Sequence, residues 1–217
     1  MIKKISARAA VVALMLGASQ AATAITVFNN GVPNLVSGTA MTEFVVADNF
    51  TVASSFDITN IRFWSAQDAP GAYQGSVAWA IYSDLAGLPN SSLNAGLATV
   101  AGTASGGSTG FLYGIYSFDI PVTFTLAAGN YWLALHNGPL SNTTTAGDML
   151  WATSGTGSGP ASIYNNGGWI DSGNELAFRV DGNVSVVPEP EGVALFLAGL
   201  AVCGGLRKKR PPLAAQQ

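Results

Sequence analysis

Between residues 25 and 187 the chain alternates short apolar runs with clusters of Gly, Asn, Pro and Asp. In Val77-Ala78-Trp79-Ala80-Ile81-Tyr82 the odd positions Val77, Trp79 and Ile81 point to one side and Ala78, Ala80 and Tyr82 to the other, which is the period of a β-strand. The runs 43–46, 58–65, 76–82, 114–120, 123–126, 130–136 and 176–180 are short and rich in Val, Ile, Thr and aromatics, so each is predicted as a strand. No long window of this region keeps a 3.6-residue period. The pattern predicts an all-β domain: a two-sheet antiparallel sandwich of jelly-roll type, favoured over a barrel by the many short, regularly spaced strands. Three Gly- and Ser-rich stretches, 101–110 (AGTASGGSTG), 137–147 and 153–168, are predicted as long loops.

The two ends break this pattern. Lys3, Lys4 and Arg8 precede a short apolar run, 9–17, and Ala22-Thr23-Ala24 supplies small residues, the layout of a signal peptide cleaved after Ala24. At the other end Pro188-Glu189-Pro190 is held extended by its two prolines. Residues 192–206 form an uncharged run, about 22 Å long as a helix and short against a hydrocarbon core of about 30 Å. Arg207, Lys208, Lys209 and Arg210 follow, and such a cluster stays on the cytoplasmic side of a membrane. The expected organisation is a signal peptide (1–24), an exported β-sandwich domain (25–183), a linker with the Pro-Glu-Pro motif (184–191), a short transmembrane helix (192–206) and a basic cytoplasmic tail (207–217). Its early partners are then the Sec translocon, signal peptidase and, transiently, the inner membrane.

Setting the ends aside changes the charge. Residues 25–187 hold two arginines, Arg62 and Arg179, against ten acids, a formal charge of −8. Such a surface repels phosphate backbones, so a nucleic-acid partner is not expected. The single cysteine, Cys203, lies in the tail, so the domain has no disulfide and must stand on a hydrophobic core.

In its ordered features the tail resembles the PEP-CTERM sorting signal of Gram-negative bacteria that make exopolysaccharide: Val187-Pro188-Glu189-Pro190, the apolar run 192–206, then Arg207 to Arg210. The resemblance covers about 25 of the 217 residues. It implies that an exosortase, a membrane cysteine protease, cuts at or near the motif, and that the mature protein reaches the cell surface or extracellular matrix. Glu189 and its prolines would then be substrate residues of that protease. The domain also resembles those of other PEP-CTERM proteins in outline, at Asp48-Asn49-Phe50-Thr51, Ile61-Arg62-Phe63-Trp64, the stretch 126–133 and Leu176-Ala177-Phe178-Arg179-Val180. These are strand and turn patterns that carry fold and no chemistry.

Chemistry-bearing motifs are sparse. Gly106-Gly107-Ser108-Thr109-Gly110 matches G-x-S-x-G, with Asp119 and His136 following, but a nucleophile elbow needs a strand, a sharp turn and a helix, and here a strand follows. His136 is the only histidine and ends a strand, so zinc and copper lack ligands and no catalytic residue is named. Asp171, Glu175 and Asp181 group oxygens at turns and are the candidates for a structural calcium, the one cofactor considered. Trp151, Tyr164 and Trp169 flank the Gly-rich stretch 153–168 and are the candidates for stacking sugar rings. The expected function is a structural or adhesive component of the envelope or exopolysaccharide matrix, with a carbohydrate-binding module as the alternative and a serine hydrolase as a distant one.

Overall fold

A computed structural model describes residues 23–68, 72–108, 113–140, 149–156 and 161–185. The apolar run of the signal peptide, the Pro-Glu-Pro motif, the run 192–206 and the basic tail lie outside the described residues. The chain divides into two units, Met1–Val184 and Ser185–Gln217, and the described residues other than Ser185 belong to the first.

Among the described residues thirteen strands follow one another: β1 (Ile25–Asn29), β2 (Pro33–Ala40), β3 (Val45–Val52), β4 (Phe56–Gln67), β5 (Val77–Leu85), β6 (Leu88–Ala98), β7 (Thr103–Ser108), β8 (Gly114–Leu126), β9 (Gly129–Asn137), β10 (Met149–Ser154), β11 (Ser162–Asn165), β12 (Gly168–Asp171) and β13 (Phe178–Val184). They form two antiparallel sheets packed as a sandwich. Sheet B runs β12-β11-β3-β9-β5-β6.

Sheet A is organised around β4. One edge of β4 pairs with β8 along its whole length, from Phe56↔Leu126 to Gln67↔Gly114. The other edge is shared: β13 takes Phe56 to Phe63, and β10 takes Ser65 to Gln67. β1 then adds to β13, β2 to β10 and β7 to β8. Between β10 and β13 the chain leaves sheet A, and the β11–β12 hairpin joins sheet B through β3.

The predicted alternation holds where the strand is half-buried. On β5, Val77, Trp79 and Ile81 face the interior, and on β9 Leu133 and Leu135 meet them there. Phe63 and Phe118 stack at 5.0 Å, and Trp151 packs edge-on against Phe63 and Phe178. Trp132, Trp151, Phe50, Phe63, Phe118 and Phe178 are among the largest fully buried side chains. Burying each contributes about 1.5–3 kcal/mol, and this core replaces the disulfides the domain lacks. Gly96 makes room for it: a Cβ there would lie 2.9 Å from Trp79 Nε1.

Two expectations change. The runs 114–120 and 123–126 form one strand, β8, in which Pro121 stands opposite Asn60, beside the register shift between Ile58 and Asn60. Within the predicted loops, 101–110 contains β7 and 153–168 contains β11. β7 is exposed throughout, and its pairing with β8 overrides the low strand propensity of Gly and Ser.

Candidate functional site

Two places on the domain collect polar or aromatic chemistry, and the first is the outer face of sheet B. Ala47, Ala134 and Ala80 lie in register on β3, β9 and β5, and Ala95 on β6 continues the row. This floor of single methyl groups lets larger rings come down on it. Trp169 packs over Ala47, Ala80, Trp132 and Ala134, in edge contact with Tyr82 at 5.6 Å and with Tyr164 at 5.3 Å. Trp132 is fully buried in this cluster, and its indole N–H donates to Asp84 Oδ1 at 2.8 Å. Tyr164 is 44% exposed. Burial, and then the neighbouring Tyr164, hold the Tyr82 phenol above its usual 10.0.

Beside the rings runs a groove of about 510 Å³, lined by Ala78, Ala80, Ala95, Leu97, Ala134 and Leu140 among others. Only Ser92 and Tyr82 bring side-chain hydroxyls to its wall. The face can stack flat apolar surfaces and offers few hydrogen-bonding groups.

The second place is the junction where β10 and β13 part. Asp48 points inward from β3 and is fully buried. Its Oδ2 accepts the Leu176 N–H at 2.7 Å and Asn30 Nδ2–H at 3.0 Å, and its Oδ1 accepts the Asn49 N–H at 2.8 Å. Asn30 Nδ2 also faces Glu175 Oε2 at 3.0 Å and Leu176 O at 2.9 Å, so three acceptors share an amide with two hydrogens. Ser154 Oγ donates to Asn30 O. Among the described residues Glu175 Oε1 is buried without a partner. Burial pushes the Asp48 carboxyl up from 3.8 to about 8; the Leu176 N–H opposes that rise and the Glu175 charge adds to it. Through these bonds the buried acid clamps sheet B to the strand junction of sheet A.

The residues named from sequence fall differently. Trp151, named as a sugar-stacking candidate, is a correction: it is fully buried, with its indole N–H donating to Ala177 O at 2.9 Å, because β10 sits between β4 and β2. Tyr164 and Trp169 do come together on the outer face of sheet B, and Tyr82, which sequence reasoning missed, joins them. Its signal was its place at the end of an alternating run, on the side opposite Val77 and Ile81.

Asp171, Glu175 and Asp181 are not brought together. Asp171 Oδ1 accepts the Gly173 N–H, Asp181 is paired with Arg179 at 2.9 Å, and Glu175 faces Asn30. Among the described residues no group of three or more His, Cys, Asp or Glu is arranged to hold a metal.

Ser108 ends β7, and the last two residues of its motif lie outside the described residues. Asp119 belongs to sheet A and is held by Arg62 through two hydrogen bonds, at 2.8 and 2.6 Å. His136 belongs to sheet B, 3% exposed, with Nδ1 3.1 Å from Gly138 O. The three residues do not form a triad.

Among the described residues no helix is long and apolar enough to cross a membrane. No protein-family model matches the chain, and no curated protein matches it.

Proposed function

We propose that this is an exported protein, sorted by an exosortase through its C-terminal Pro-Glu-Pro motif, whose β-sandwich serves as a structural or adhesive component of the cell envelope or exopolysaccharide matrix. The observation that carries this reading is the order of Pro188-Glu189-Pro190, the uncharged run 192–206 and Arg207 to Arg210, in a chain that opens with a cationic and then apolar leader. The sandwich is of jelly-roll type. In support, β1/β2, β13/β10, β4 and β8 follow one another in one sheet and β3, β9, β5 and β6 in the other, an interleaving that two Greek keys produce.

The test is intact mass and cell fractionation in the native host, with and without the exosortase gene. Loss of the segment beyond Pro188 only when the gene is present supports the proposal. An uncut chain retained in the membrane fraction of both strains overturns it.

A second reading, a carbohydrate-recognition module, is favoured by the exposed Tyr164 beside Trp169 and Tyr82. Sugar rings stack on such faces, and the acidic domain fits a neutral polymer better than an anionic one. Pull-down on the host's own polysaccharide tests it. Binding lost in Tyr164→Ala and Trp169→Ala, with the fold intact, supports the module, and no binding by the parent protein excludes it for that polymer.

A further inference from the structure

We propose that the groove on the outer face of sheet B binds an uncharged sugar that carries an apolar substituent, with the substituent along the alanine floor and the sugar against the rings of Tyr82, Trp169 and Tyr164. The saccharide part rests on the carbohydrate-recognition reading, and the apolar part extends it. At about 510 Å³ the groove has the size and the mostly apolar lining, with a few placed polar groups, that hold small ligands.

Three successive rungs across β5 set its character, because residues two apart on a strand face the same side. At Ala78 the neighbour on β6 is Leu97, 55% exposed. Leu140, 61% exposed, follows Gly138, which is bridged to Val77, and adds a second large apolar side chain to the lining. At Ala80 the neighbours are Ala95 on β6 and Ala134 on β9, so the middle of the groove meets only methyl groups. At Tyr82 they are Ser92 and Trp132, and the Trp132 indole N–H holds the Asp84 carboxylate close by, at 2.8 Å. Over about 13 Å, the rise from Ala78 to Tyr82, the groove passes from leucines through methyl groups to hydroxyls and aromatic rings.

A register shift makes the polar end. Ile81 pairs with Asn94 but Tyr82 pairs with Ser92, so the shift skips Leu93 and puts a hydroxyl where an unbroken ladder would put a leucine. Bulges of this kind re-aim side chains beside functional sites, and Ser92 lines the groove. Charge then narrows the occupant. Among the described residues no charged side chain lines the groove, and the two arginines of the domain are tied to Asp119 and Asp181 on sheet A. The charged residue of β5 is an acid, Asp84, in a domain of formal charge −8. An anionic ligand therefore meets no counter-charge. A sugar with hydroxyls on every side would leave some of them unpartnered at the leucine end. An uncharged sugar with an apolar arm suits both ends at once.

The test uses the full chain in lipid nanodiscs, with isotope-labelled alanine methyl groups followed by NMR while methyl, butyl and hexyl β-glucosides are titrated in. The Ala78, Ala80 and Ala95 signals are expected to shift with the longer chains, and binding to tighten about fourfold for each added methylene. Ala95→Phe fills the groove from an exposed position, and Leu140→Asn changes its exposed rim. Each is expected to shrink that gain with an unchanged circular dichroism spectrum. Hexanoate is expected to bind more weakly than hexyl glucoside. Equal affinity for methyl and hexyl glucosides, a gain that survives both substitutions, or hexanoate binding as tightly as hexyl glucoside overturns the proposal. The polysaccharide pull-down separates the two failures: polymer binding lost in Tyr164→Ala, together with equal affinity for the glucosides, overturns the apolar subsite and leaves sugar recognition standing.

Discussion

The carboxyl of Asp48 accepts the backbone N–H of Leu176 at 2.7 Å, linking an inward position of β3 in sheet B to the segment that leads into β13 in sheet A. Around that bond gather Asn30, from between β1 and β2, and Glu175, the neighbour of Leu176, so three separate stretches of chain meet at one buried acid.

This acid makes stability depend on pH. Its folded value of about 8 lies above the unfolded 3.8, so the folded state binds the extra proton. The stability it contributes is full below 3.8 and is lost as pH rises through about 8. The melting temperature is expected to fall across that range, and the slope to flatten in Asp48→Asn. Scanning calorimetry of both proteins from pH 4 to pH 9 checks it, and an equal slope in the two would show that another group sets the dependence.

Asp119 has the opposite sense. Hydrogen bonding from Arg62 holds its carboxyl below the ordinary 3.8, so its contribution is present above that value and is lost on acidification. Arg62→Gln is expected to raise the Asp119 titration midpoint, read by NMR on the carboxyl carbon. The pair is partly exposed, so the stability change should be small, about 0.2–1 kcal/mol.

Trp151 and Tyr164 should separate stability from recognition. Trp151→Ala removes a fully buried ring and its bond to Ala177 O, and about 3–5 kcal/mol of unfolding free energy should be lost in denaturant titrations. Tyr164→Ala, at a 44% exposed ring, should cost much less. Comparable losses in the two would mean that the outer-face cluster is as structural as the core.

The alanine floor has its own test. Ala47 is fully buried in the cluster beneath the rings of the outer face, away from the groove lining, and Ala47→Leu has no space to fill. Overpacking is expected to cost about 1–3 kcal/mol and to change the near-ultraviolet circular dichroism of the displaced tryptophans. A variant as stable as the parent, with an unchanged spectrum, would mean that the rings do not need the small residues.

How much of this was legible depended on how local the cause was. Val77 to Tyr82 could be read from alternation because both faces of β5 are set by neighbours one residue apart. The acid at position 48 was legible in principle, standing inward between Val46 and Phe50 on a strand that otherwise buries apolar residues on that side. Trp151 was misplaced because MLWATS, buried at five of its six positions, shows no alternation to reveal its inner side. The exposed strand β7 was read as a loop because only its ladder to β8 makes it a strand.

By itself the sequence determined the strand period, the charge of −8 between residues 25 and 187, the absence of a disulfide and the ordered features of the two ends, since each is a property of neighbouring residues or of composition. Tertiary structure decided that β10 and β13 share one edge of β4, that Tyr82 meets Trp169, and that burial raises the Asp48 carboxyl. Those three outcomes depend on ladder register and burial between residues far apart in the chain, and a period of two in the backbone carries no information about either.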